Sequence, residues 1–467
     1  MNTPDRNRPL LWLVALGFFM QALDATILNT ALPSIAANLG ESPLRMESVV
    51  IAYMLTVALL MPASGWLADR FGTRRTYYFA VLVFAIGSFL CAESRQLWQL
   101  VAARVVQGIG GALLMPVGRL AVLRVFPGKQ LVAALSFVTL PGLVGPLIGP
   151  TLGGWLVQAA SWHWIFLINL PVGLVGAWAV RRYMPDYVSL DRAPFDWPGY
   201  LLLGGGMVML SLGLQGLGEL GFARAWSTLL LVGGLAAIVA YWLHAGRAEE
   251  PLFDLALFRV RSFAVGIFGN LFARLGSGAM PFLMPLFLQV GLGFTPLQAG
   301  FALVPSALAA MTVKTFAERV LTRWGYRRVL TVNTVLVGAM IASFALLGPA
   351  TPAWWLALHM ACFGAINSMQ FTAMNTVTLK DLEGPLASGG NSLLSMTMQL
   401  SMSLGVASAA ALLSAFSKHF GHPHGADDHT LTVFRATLAC VGVLGAVAAT
   451  VFAQLDDAPP AAEEGTP

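Results

Sequence analysis

Long apolar runs, each closed by charged or Pro/Gly-rich breaks, recur from Leu10 to Phe452. About 20 mostly apolar residues cross the hydrocarbon core of a bilayer as a helix. By that measure the pattern predicts about fourteen spans, at roughly 10–32, 47–67, 76–92, 98–118, 132–157, 164–180, 197–215, 226–243, 263–288, 297–313, 329–348, 353–376, 391–416 and 431–453. The runs lack two-residue alternation, which argues against a transmembrane β-barrel. The expected fold class is an all-α polytopic membrane protein. The first run continues past Asp24 to Pro33 without a small-residue cleavage pattern, so it reads as a retained span rather than a signal peptide.

Composition agrees. Of 467 residues, 57% are hydrophobic and 10% charged, with a mean hydropathy of +0.73. Soluble domains carry about 25% charged residues, so a soluble enzyme or nucleic-acid binder is excluded. The net charge of +5 is explained by position rather than by anionic partners. With the N-terminus on one side, twenty basic residues fall on that side and five on the other. Such a bias predicts cytoplasmic termini. Only Arg104 and Arg274 lie deep within spans. Cys91, Cys362 and Cys440 sit in separate apolar segments at no ligand spacing and are expected to be buried small hydrophobes.

An internal repeat sets the architecture. Arg70-Phe71-Gly72-Thr73-Arg74-Arg75 recurs as Arg323-Trp324-Gly325-Tyr326-Arg327-Arg328, 253 residues later. Six spans with short loops account for each half, and the surplus fits two extra spans at 197–215 and 226–243. The expected organisation is an N-terminal six-helix bundle at 1–190, two additional helices within 191–250, a C-terminal six-helix bundle at 251–455 and an acidic tail at 456–467. Transporters are commonly built from such repeated bundles.

Four ordered motifs extend the argument. Leu23-Asp24-Ala25-Thr26-Ile27-Leu28-Asn29-Thr30-Ala31-Leu32-Pro33 resembles the first-span motif of the fourteen-span drug:proton antiporters in the major facilitator superfamily. Gly65-Trp66-Leu67-Ala68-Asp69-Arg70-Phe71-Gly72-Thr73-Arg74-Arg75 is similar to that superfamily's loop signature. Arg104-Val105-Val106-Gln107-Gly108 resembles its fourth-span motif, and Gly142 to Pro150 with Gly153-Gly154 its fifth-span antiporter motif. The resemblance covers the whole chain. It implies the major facilitator fold, a multi-pass bacterial inner-membrane protein, alternating access and a proton as coupling ion with no other cofactor. His163 departs from the family's Trp-Arg-Trp segment.

Asp24 is the leading candidate for chemistry, as the acidic residue deep inside a predicted span. A carboxylate there is costly and by default marks an ion or proton pathway. The alternative is an Asp held permanently by hydrogen bonds. Arg104 shares a helix face with Gln107 at i+3; the resemblance implies a role in proton relay, and pairing with Asp24 is expected, whether for coupling or as a structural clamp. Arg274, Gln107, Asn29, Gln370 and Gln399 are the candidate substrate-binding residues. Arg274 has no acidic residue near it in sequence, which suits either an anionic group on a substrate or a packed interface.

The gating candidates are of two kinds. Gly145, Gly149 and Gly153 recur at i+4 and give the fifth span a smooth stripe, with Pro146 and Pro150 bending it. Gly65, Asp69, Arg70, Gly72, Arg74 and Arg75 form the loop expected to act as a cytoplasmic latch. Asp69 near a helix C-terminus needs a cation, and Arg119 or Arg124 could supply it. In the second copy Glu318 replaces Gly65 and Thr322 replaces Asp69, so the latch is degenerate there. His419, His422, His424 and His429, with Asp427 and Asp428, match no ordered zinc motif and read as a solvated loop; no metal is expected.

No phosphate-binding Gly-x-x-x-x-Gly-Lys-Ser/Thr loop and no His-Glu-x-x-His is present, which disfavours an ATP-driven pump and an intramembrane zinc protease. The leading reading is a monomeric proton-coupled exporter of small molecules. The alternatives are an exporter of an organic anion or metal chelate, motivated by Arg274, and a non-transporting sensor or scaffold.

Overall fold

The computed structural model describes residues 8–126, 129–188, 194–216, 222–420 and 428–455, and within them every regular element is helical. The acidic tail expected at 456–467 lies outside the described residues. The helices are α1 (Arg8–Ile27), α2 (Leu32–Leu39), α3 (Glu47–Leu60), α4 (Ala63–Phe71), α5 (Thr73–Ala92), α6 (Leu97–Val125), α7 (Lys129–Ala159), α8 (Trp164–Leu167), α9 (Asn169–Tyr183) and α10 (Trp197–Gln215). They continue as α11 (Phe222–Ala245), α12 (Arg261–Ser277), α13 (Met280–Leu286), α14 (Pro296–Trp324), α15 (Tyr326–Ser343), α16 (Ala353–Leu379), α17 (Gly384–Phe420), α18 (Asp428–Val447) and α19 (Ala449–Phe452).

Among the described residues, 13 helical segments are long and apolar enough to cross a membrane. The predicted span at 353–376 is the 27-residue α16, which is long enough but carries His359, Asn367, Gln370 and Asn375. Continuous apolarity hid several interruptions, at 28–31, 61–62, 168, 278–279 and 448. The predicted first span, 10–32, is α1, a turn at 28–31 and then α2. Pro33 supplies no N–H and its ring crowds the carbonyl four residues back, and here the helix breaks rather than kinks. Pro281 likewise follows the end of α12, and Phe287–Gly291 is a π-helical turn.

The helices fall into two compact units. The first is Met1–Phe195 with Met284–Gln289 and Phe294–Val304. In it α1 packs along α7, and α6 packs against α5 and α3. Apolar lipid gives helices no hydrophobic reason to associate, so close van der Waals approach and interhelical hydrogen bonds must hold them. The glycine stripe supplies the approach. A Cβ on Gly145 would lie 2.8 Å from the Leu23 nitrogen, and one on Gly153 2.3 Å from the Ile27 carbonyl oxygen. Thr26 and Thr30 then reach across to the carbonyls of Gly145 (3.4 Å) and Pro150 (3.2 Å). The start of α14 meets another face of α7, where a Cβ on Gly154 would lie 2.3 Å from the Pro296 carbonyl oxygen. Gln289, on the π-helical turn, donates to the Thr30 carbonyl at 2.9 Å.

The second unit is Asp196–Leu283, Val290–Gly293 and Pro305–Pro467. Its α10 and α11, expected from the sequence to be two additional helices, cross at Gly206 and Gly234, each facing the other's carbonyl oxygen. Asp196 caps α10 through the Gly199 N–H (2.9 Å) and also accepts from Leu252 N–H (2.9 Å) and His244 Nε2 (2.8 Å). Burial works to raise the Asp196 carboxyl, but these donors carry it below the usual carboxylate range. In the same unit α12 packs against α16, α17 and α18, and α15 against α16 and α18.

The sequence repeat is also a backbone repeat. Gly72 (φ 92°) and Gly325 (φ 75°) each join two helices in a conformation that favours glycine. Gly72 N–H bonds to the Ala68 carbonyl and Gly325 N–H to that of Leu321, both at 3.0 Å.

Gly153→Ala should destabilise the protein by about 1–3 kcal/mol through overpacking, read as a lowered Tm in detergent. Gly65→Ala, where an added Cβ meets nothing within 4 Å, should leave Tm unchanged or slightly raised.

Candidate functional site

The site is a polar network inside the first unit. Asp24 lies one turn before the end of α1 and is 1% exposed; Arg104, on α6, is 2% exposed. Arg104 Nη1 donates to Asp24 Oδ2 at 2.7 Å. Gln107, one turn further along α6, accepts from the same Nη1 with its Oε1 and donates from Nε2 to Asp24 Oδ1 at 2.7 Å. Gln107 Nε2 also reaches Ser88 Oγ on α5 at 2.8 Å. Asn169, the first residue of α9, donates to Asp24 Oδ1 (3.4 Å) and to Ser88 Oγ (3.3 Å).

Glycines make this convergence sterically possible. A Cβ on Gly87 would lie 2.4 Å from the Gln107 backbone, so α5 reaches α6 closely enough to set Ser88 on Gln107. Gly111 leaves space for Tyr53 of α3, whose hydroxyl would be 2.6 Å from a Cβ there. The Tyr53 ring lies 4.1 Å beneath the Arg104 guanidinium, and Arg104 Nε donates to the Val49 carbonyl at 3.4 Å. Five helices thus meet at one ion pair. Every bond to the Asp24 oxygens comes from a donor, the arrangement complementary to an ionised carboxylate.

The other candidate residues are placed as follows. Asn29 is buried but donates to the Ala25 carbonyl of its own segment at 3.2 Å, apart from the network. Gln107 lies within the ion-pair network. Arg274 is 5% exposed in the second unit, with Nε on Asn270 Oδ1 at 3.2 Å and its guanidinium 4.6 Å from the Phe371 ring centre. Its Nη2 is buried without a hydrogen-bond partner, and no ion pair to it is found among the described residues. Gln370 donates to Thr334 Oγ1 (2.6 Å) and accepts from Asn333 (2.9 Å). Gln399 is half-buried on α17. Gly145, Pro146, Gly149, Pro150 and Gly153 all lie on α7.

In the basic loop Asp69 pairs with Arg124, whose Nη1 also donates to the Tyr187 carbonyl at 3.3 Å. Arg119 instead lies 5.9 Å from the Phe18 ring centre. The segment after α9 closes over the loop: Asp186 accepts from Arg74 N–H (3.3 Å) and approaches the Arg74 and Arg75 side chains at 3.6 and 4.0 Å. Arg70 stacks over Trp66. In the second copy Thr322 bonds back to Glu318 and Arg319 carbonyls of its own helix. His163 stacks on Trp162 at 3.8 Å, and burial holds its ring below the usual histidine value.

One expectation needs adjustment. Cys91 is buried, but Cys362 is exposed and Cys440 intermediate, because their helix faces point away from the packed interior. Among the described residues no group of three His, Cys, Asp or Glu could hold a metal ion; His422, His424 and Asp427 lie outside those residues. Sequence reasoning missed Ser88, Asn169 and Tyr53. Asn169, a lone amide within a predicted apolar span, was the one signal available.

The sequence profile of the Major Facilitator Superfamily matches residues 14–406. The chain belongs to the Major Facilitator Superfamily. It is 51% identical over 453 residues to the "Putative multidrug resistance protein MdtD" of Pectobacterium atrosepticum, covering 97% of this chain and 96% of that one. The protein of the same name from Cronobacter sakazakii is 51% identical over 456 residues, covering 98% and 96%. Among solved structures, a POT family transporter in complex with 5-aminolevulinic acid aligns with a TM-score of 0.69 at 17% identity, covering 96% of each chain. A mutant form of the nucleoside transporter NupG aligns with a TM-score of 0.67 at 15% identity, covering 95% of this chain and 98% of that one. These likenesses show the fold. This superfamily member is a multi-pass membrane transporter, not an enzyme.

Arg104→Gln leaves a buried carboxylate unpaired and should cost about 3–5 kcal/mol. Adding Asp24→Asn should recover part of that loss, measured as a double-mutant cycle on thermal unfolding in detergent.

Proposed function

We propose that this transporter exports small molecules, multiple drugs among them, in exchange for protons by alternating access, with Asp24 binding the coupling proton and Arg104 as its counter-ion. The carrying observation is the Asp24–Arg104 pair, almost wholly buried on membrane-crossing helices. A buried ion pair is sustained only by its geometry. A proton arriving at Asp24 removes the partner of Arg104, so proton occupancy and the packing of five helices are bound together. The multidrug-resistance names of relatives near 51% identity support drug export. The reading includes a monomer in a bacterial inner membrane, both termini cytoplasmic, two six-helix bundles flanking the two additional helices, and no cofactor beyond the proton.

One observation favours a second substrate class. Arg274 is a buried cation with an unpartnered Nη2. A bound organic anion or metal chelate would supply the missing acceptor.

Purified protein in proteoliposomes, assayed for proton flux on addition of a cationic dye or a tricarboxylate, tests both. Asp24→Asn should insert normally and lose proton-coupled transport; undiminished transport would sink the proposal. Arg274→Gln should raise KM for the anion at least tenfold and leave the dye unchanged.

A further inference from the structure

We infer that the Asn169 side-chain amide turns over when Asp24 takes up its proton, making Asn169 the residue that fits the site to both protonation states; this rests on the proton-coupling reading above. The network contains three donors to Asp24, and they differ in what they can become. Arg104 carries only donors. Gln107 is locked in one orientation, because its Oε1 accepts from Arg104 while its Nε2 serves Asp24 and Ser88. A half-turn there would set an NH2 group against the guanidinium.

Asn169 is under no such constraint. Both of its hydrogen bonds leave from Nδ2, both are long, and they run to Asp24 Oδ1 at 3.4 Å and Ser88 Oγ at 3.3 Å. An amide is nearly symmetric in shape, so a half-turn places Oδ1 where Nδ2 stood. Ser88 suits either orientation, since a hydroxyl has one donor and two acceptor sites. It accepts from Asn169 now and would donate to it after the turn, while still accepting from Gln107.

A proton from the solution on one side adds to Asp24 Oδ1, and the new O–H donates to Asn169 Oδ1. Oδ1 of Asp24 keeps its bond from Gln107 through a lone pair, and Arg104 stays charged. Return of the proton to the other side restores the first orientation. Without the turn, the acid's O–H would point at an NH2 group among nearly fully buried side chains, and a buried donor lacking an acceptor is expensive. Asn169 is therefore a positioning residue acting through Asp24. It is also the first residue of α9, directly after the break at Ile168, so the turn occurs at a helix start.

Infrared difference spectroscopy of the purified full-length transporter, stepped in pH, tests this. The carboxyl C=O band of protonated Asp24 is identified by its loss in Asp24→Asn. In Asn169→Leu, similar in size but without an acceptor, that band should move to higher frequency, as for an acid freed of a hydrogen bond. With isotopically labelled asparagine, an amide C=O band should change in the same pH step and vanish in Asp24→Asn. Ser88→Ala, which keeps Asn169 but removes the hydroxyl donor, should shift that amide band. A carboxyl band unmoved in Asn169→Leu, or an amide band indifferent to Asp24→Asn, overturns the amide switch and leaves proton coupling standing. Absence of any Asp24-dependent carboxyl band overturns the coupling reading itself. Should Asn169→Leu not fold, the Ser88→Ala and labelled-asparagine measurements decide.

Discussion

One buried ion pair organises the first unit. Asp24 and Arg104 sit where water is excluded, and neither charge is tolerable there alone. Everything around them reads as a response. Gln107 spans both charges, Asn169 and Ser88 complete the carboxylate side, and Tyr53 with the Val49 carbonyl completes the guanidinium side. Gly87 and Gly111 exist at those positions because larger residues would hold α5 and α3 away from α6. Small residues and polar contacts thus cooperate: the first permit the approach, and the second make separation costly in a medium that offers no alternative partners.

The two halves of the repeat answer the same backbone problem with different chemistry. Gly72 and Gly325 make the same left-handed junction between helices. Around Gly72 the junction is fastened by Asp69–Arg124 and by Asp186 with Arg74 and Arg75. Around Gly325, Thr322 turns back onto its own helix. The fold requires the turn. The Asp69–Arg124 pair is an addition found around Gly72, where the second copy has Thr322.

Much of this was legible in the residues. Span positions follow from run length, and the repeat shows at Arg70–Arg75 and Arg323–Arg328 without any coordinates. Asp24 and Arg104 announce themselves because charges in apolar runs are few. What could not be read lies where local pattern and long-range contact diverge. Nothing near Ser88 says that a glycine beside it will bring Gln107 within reach. Asn169 is 145 residues from Asp24, and an amide in a span has many partners to choose from. Asn29, closer in sequence, bonds to its own segment instead. The breaks at 28–31, 278–279 and 287–291 were hidden by apolarity, although Pro33, Pro281 and Pro285 stand beside them. Proline position carries part of that information, although Pro146 and Pro150 lie within the unbroken α7.

Under the proton-exchange reading, the ion pair also sets the electrical character of transport. One acid and one base sum to zero charge when Asp24 is ionised, and to a single positive charge when it carries a proton, since Arg104 keeps its own. Under the proton-exchange reading, the loaded pair therefore carries a charge on which the membrane voltage acts, and the unloaded pair carries none. A potential of 100 mV acts on one elementary charge with about 2.3 kcal/mol. Export of a neutral molecule against one proton would draw on that voltage in full. Export of a monovalent cation would cancel it, and export of an anion would double it. The same side chains would then run three different currents, chosen by the cargo.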